Sequence, residues 1–92
     1  MTKIDPKQIL TELRRLRSRA PRAEAAAGVK KVAAQIAADD GPAELLTAQC
    51  RETAAEMTAA LAKAYEDTSK LVPDRLWADV DRAMVEWVKA EQ

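Results

Sequence analysis

Four prolines, Pro6, Pro21, Pro42 and Pro73, divide this chain into segments that each carry helical spacing of apolar residues. Proline is tolerated in the first turn of a helix and disrupts its interior, so each one marks a start or a bend. The stretch "IDPKQI" has a full set of start signals: Asp5 as N-cap, Pro6 at the first helical position, Gln8 placed to reach back, and Ile4 able to meet Ile9 as a hydrophobic staple. Pro21 disfavours helical geometry at Ala20. In "DDGP", Gly41 is expected to end a helix in the left-handed conformation and Pro42 to open the next one.

These punctuation marks predict helices over 6–19, 22–38, 42–69 and 73–90. The first has a stripe of Ile9, Leu13, Leu16 and Ala20, widened by Leu10. The second has Val29, Val32 and Ile36 as its only large apolar residues, and Gly28 weakens it by about 1 kcal/mol relative to alanine, so it needs neighbours to exist. In the third, Leu46, Cys50, Thr53, Met57, Leu61, Ala64 and Thr68 align, flanked by Ala54 and Tyr65. At about 1.5 Å per residue it would be on the order of 40 Å long. The fourth has an apolar arc of about 140°, made of Leu76, Trp77, Val80, Ala83, Met84, Trp87 and Val88, opposite Asp79, Arg82, Glu86 and Lys89.

Composition sets the class. Twenty alanines, no phenylalanine and only three aromatic residues describe thin, closely packed helices, whereas sheets favour β-branched and aromatic side chains. The expected fold is one all-α domain, a small bundle of about four helices with one long central helix. The single cysteine, Cys50, permits no internal disulfide, which fits an intracellular, cytoplasmic location. No apolar run approaches the roughly 18 residues of a membrane span, and Asp5 and Glu12 interrupt any signal-peptide centre.

Much chemistry is excluded. Without histidine there is no imidazole base, no Ser-His or Cys-His pair and no imidazole metal ligand. Glu52 and Glu56 share a helical face but read as part of a solvated charge stripe with Lys63 and Asp67. Asp79 and Asp81 point about 200° apart on a helix and cannot share an ion. Cys50 is expected to be buried and unreactive, and two glycines cannot build a phosphate loop. No enzymatic activity, catalytic residue, cofactor, metal or small-molecule substrate is expected.

The formal net charge of zero conceals a division: residues 1–31 carry nine basic and three acidic side chains, leaving +6, and the remainder carries −6. Arg14, Arg15, Arg17 and Arg19 fan around the polar side of the first helix. That fan suits internal pairing with the acidic remainder, or non-specific attraction to phosphates, better than groove reading. "AEAAAGVKKVAAQI" resembles the turn of helix-turn-helix proteins, which would set Lys30 and Lys31 at the start of a recognition helix. The resemblance covers about a sixth of the chain and departs from the pattern: with Gly28 as turn glycine, Glu24 falls where that family buries alanine, and Val32 and Ile36 are out of step.

The leading expectation is a non-enzymatic helical module of protein association, oligomeric or a subunit of a larger complex. A strip about 40 Å long exceeds what any neighbour of half its length covers, and tryptophan is enriched at interface hot spots. The candidate partner surface is Leu46, Met57, Leu61, Tyr65, Trp77, Met84, Trp87 and Val88. The alternative is a small nucleic-acid-binding protein using Arg14, Arg15, Arg17, Arg19, Arg22, Lys30 and Lys31.

Overall fold

The computed structural model describes residues 4–92, which form four helices: α1 (Pro6–Arg19), α2 (Arg22–Ala38), α3 (Leu45–Glu66) and α4 (Asp74–Glu91). They pack in cyclic order, each against its sequence neighbours and α1 against α4, with α1 and α3 on one diagonal and α2 and α4 on the other. Neighbours run antiparallel. Thr47 at the start of α3 donates to the Ala90 carbonyl near the end of α4 (3.2 Å), and Arg14 and Arg17 of α1 meet Asp81 and Asp74 of α4 in reversed order. The result is an up-down-up-down bundle measuring 40 × 22 × 18 Å.

The start of α1 follows its sequence signals: the Asp5 carboxylate accepts from the Lys7 amide at 3.0 Å. Leu10, Leu13 and Leu16 are buried, and Ile9 is left half-buried at the edge. Residues 22–38 form one uninterrupted helix, so Gly28 makes no turn and the helix-turn-helix resemblance does not hold. Gly28 instead makes room. A Cβ built there would lie 2.5 Å from Leu16 Cδ1 and 2.8 Å from Cδ2, so its missing side chain is the space that Leu16 fills between α1 and α2.

The third helix differs most from its expected form. It begins at Leu45, after Pro42, and ends at Glu66, where Asp67 takes an extended conformation and its carboxylate accepts from the Ser69 amide and hydroxyl. Its 22 residues span about 33 Å, still the longest helix but not the 40 Å rod expected. Its buried line also differs: Thr47, Ala54, Thr58 and Leu61 face inward. Close approach of α2 on one side and α4 on the other favours small side chains there. Thr58 can be wholly buried because its hydroxyl donates to the Ala54 carbonyl at 2.8 Å.

Gly41 does not adopt the left-handed conformation expected of it; no described residue has positive φ. The loop is held by side chains instead. Asp39 Oδ1 accepts from the Gly41 amide at 3.0 Å, and Arg51 Nη1 reaches both that oxygen (3.4 Å) and the Gly41 carbonyl (2.9 Å). The Asp39 side chain is 3% exposed, so this is the one largely buried ion pair among those described.

Gly28→Ala gains about 1 kcal/mol in helix propensity but crowds Leu16, at about 1–3 kcal/mol for overpacking. A net loss on the order of 1 kcal/mol is expected, and Leu16→Val in the same chain should show a coupling of similar size in urea midpoints; strict additivity would mean the sites do not touch. Arg51→Met strands the Asp39 carboxylate and should lower stability by about 2–3 kcal/mol. Adding Asp39→Asn should recover part of that loss in the same denaturation assay.

Candidate docking face

The arginines are mostly spent inside the bundle. Arg14 grips Asp81 with two hydrogen bonds, Nε to Oδ2 at 2.8 Å and Nη2 to Oδ1 at 3.0 Å. Arg17 Nη2 donates to both Asp74 oxygens at 2.9 Å. Arg15 binds Glu12 one turn back and lies 3.8 Å from Glu24 of α2. Arg22 donates to the Asp67 carbonyl at 2.9 Å, at the exit of α3, and stands 5.4 Å over the Tyr65 ring. Arg19, Lys30 and Lys31 are exposed and form no ion pair among the described residues, though the charge of Lys31 acts on Glu12.

These contacts move the carboxylates in one direction. Hydrogen bonding to Arg14 holds Asp81 below its ordinary range, against partial burial that pushes it up. Arg15 does the same for Glu12, and the Ser69 hydrogen bonds do so for Asp67.

Several expected partner residues belong to the interior. Leu61, Met84 and Trp87 are fully buried and Trp77 nearly so, which removes these four from any surface of the single copy. Each indole is also satisfied internally: Trp77 Nε1 donates to the Tyr65 hydroxyl at 3.0 Å, with the two rings edge to face, and Trp87 Nε1 donates to Glu91 at 3.2 Å. Tryptophan here supplies bulk that the alanine-rich helices lack. Tyr65 and Val88 are half-buried.

The other part of the expected strip lies open. Leu46, Gln49, Cys50, Thr53 and Met57 form one wall of a groove of about 530 Å³ between α3 and α4, with Ala83, Asp79, Arg82 and Glu86 on the α4 side. Leu46 is 64% exposed and its neighbour Leu45 75%. Cys50, expected to be buried, is half-buried in this wall. The strip lies open because the inward line of α3 runs through Ala54 and Thr58, which turns the larger side chains of the same helix toward its flank. The sequence pattern identified these residues but gave no means of telling flank from core.

Among the described residues no group of three or more His, Cys, Asp or Glu side chains could hold a metal ion, and no helix is long and apolar enough to cross a membrane. Comparison with family models, curated proteins and solved structures finds no match to this chain.

The depressed carboxylates stabilise the fold at pH above their unfolded values, near 4, and that contribution disappears as pH falls through the lower folded values. Asp81→Asn should cost about 1 kcal/mol or less near pH 7, since Arg14 is more than half exposed. Urea midpoints of the two proteins should converge as pH falls below the ordinary aspartate range and through the lowered folded value of Asp81; parallel curves down through acid pH would contradict a role for Asp81 in acid unfolding.

Proposed function

We propose that this chain is a non-enzymatic helical module of protein association, working as an oligomer or as a subunit of a larger assembly through the α3–α4 flank. The observation that carries the reading is the open strip from Leu46 to Met57, apolar but for Gln49 and Thr53 and lying beside Ala83, in a bundle whose tryptophans are already committed to the core. Leucines at 64% and 75% exposure on adjacent positions of one helix, continuous with a groove, describe a surface that gains from being covered.

The alternative, phosphate binding by the basic N-terminal third, has less support. Arg14, Arg15 and Arg17 already face carboxylates and Arg22 a carbonyl and a ring, leaving Arg19, Lys30 and Lys31 as exposed cations. Binding through three scattered cations would be weak and steeply salt-dependent.

Leu46→Glu and Met57→Glu test the association reading, since both positions lie on the flank and spare the buried line of α3. Each variant should keep its helical circular dichroism and lose association at least tenfold, measured by light scattering and by capture from native extract. Wild-type chain that neither self-associates nor retains any partner sensitive to these substitutions would overturn the reading.

A further inference from the structure

We infer that the occupant of the α3–α4 face is a second copy of this chain, docked antiparallel about a two-fold axis that passes α4 at the level of Met84. The inference rests on the docking-face reading above and adds partner and register.

The argument comes from the outer side of α4. Arg75, Asp79, Arg82, Glu86 and Lys89 follow one another along the outward stripe of α4 beside the groove, Asp79 half-buried and the others exposed, with charges alternating from positive at Arg75 to positive at Lys89. Laid antiparallel on an identical stripe and centred at residue 84, Asp79 faces Lys89 and Arg82 faces Glu86, twice each, while Arg75 extends past the end of the partner helix. Centring the pair between Arg82 and Ala83 would instead set Asp79 against Glu86 and bring the two Arg82 side chains next to each other, and a parallel pairing would set every charge against its like. Self-complementarity under a two-fold is what an isologous interface requires. A pairing centred between Val80 and Asp81 would also match opposites, Arg75 with Glu86 and Asp79 with Arg82, but Thr47 beside Ala90 puts Met84 level with the middle of the Leu46–Met57 strip and residues 80 and 81 level with its Met57 end, so only the register at Met84 brings the two strips together.

Two further observations fit. Asp79 and Arg82 have no ion-pair partner among the described residues, while Glu86 has only Lys89 on its own helix at 3.6 Å. The same axis places α3 antiparallel on α3, setting the Leu46 end of one strip over the Met57 end of the other, with exposed Glu56 at the border of the strip. The broadest side of the molecule is about 40 by 22 Å, close to the roughly 800 Å² per partner of a standard interface. A stable pair therefore has to use the whole α3–α4 side, strip and charge stripe together. Opposed charges would set register and discourage misalignment, while the strip supplies the buried area.

Charge exchange tests this. Wild-type chain should sediment at twice 10.1 kDa at micromolar concentration. Arg82→Glu confronts Glu86 of the other copy with a carboxylate, and Glu86→Arg confronts Arg82 with a guanidinium, so each variant alone should dimerise at least tenfold more weakly. Mixed in equal amounts, the two variants should recover the double mass, because every pairing across the mixed interface is then opposite in sign; misfolded variants could not do this. A monomeric wild type at about 100 µM, a dimer indifferent to both reversals, or variants that fail to rescue each other would overturn the inference. A monomeric chain that captures a different protein and loses it on Leu46→Glu would overturn self-pairing and leave the docking face standing. A dimer that responds to both reversals but not to Leu46→Glu would do the opposite, removing the apolar strip from the interface.

Discussion

The bundle depends on close approach between helices that have little side-chain volume to offer. α2 and the inward line of α3 are built largely from alanine, threonine and valine, so a filled interior is reached only when their axes come near. Gly28 is where this requirement is tightest, because Leu16 occupies the volume its side chain would need. The rest follows from that economy. Bulk is concentrated in the leucines of α1 and the two indoles and Met84 of α4, which are neighbours, and the thin helices of the opposite pair, α2 and α3, close against them. Each large polar-tipped ring then finds its hydrogen bond within the same copy, so no described buried side-chain nitrogen or oxygen lacks a partner.

Charge completes the arrangement without driving it. The basic excess of the first third and the acidic excess of the remainder become cross-helix contacts between α1 and α4, with Arg14 on Asp81 and Arg17 on Asp74. Both pairs are exposed enough to contribute little each. Their reversed order along the two helices nevertheless matches one relative direction only, which is an orientational effect rather than an energetic one. Arg22 joins two corners of the bundle, at the exit of α3 and over Tyr65, and so links the α1–α2 turn to the neighbouring pair.

Much of this was legible in the sequence, for identifiable reasons. Proline and the Asp5 cap act locally, so α1 and the start of α2 were readable residue by residue. The ends of α3 were not, because Pro42 and Gly41 are compatible with a helix start whose actual position depends on Arg51 reaching back to Asp39, a tertiary contact. The inward face of α3 is not legible in the sequence, because hydrophobic periodicity ranks Leu46 and Met57 above Thr58, whereas crowding between two neighbours ranks small residues first. For the same reason half of the proposed surface, Leu61, Trp77, Met84 and Trp87, lies in the core while Leu46, Cys50 and Met57 remain at the open flank. The basic residues stand out in the sequence, but whether a guanidinium meets a carboxylate or water depends on which helix lies alongside, and spacing along one chain does not carry that information.

The pinning of the α2–α3 connection gives the bundle an unequal pair of long joints. Residues 39–44 hold a largely buried aspartate tied to the body of α3, so this corner turns as part of the rigid mass. Residues 67–73 are tied to themselves, to Arg22 and, through half-buried Val72, to the edge of the core, and carry Leu71 almost fully in solvent. An inserted peptide, a reporter group or a protease is therefore far better tolerated at the second joint than at the first. The core should notice a cut or a graft near Leu71 only as a change in effective concentration between the first three helices and the fourth.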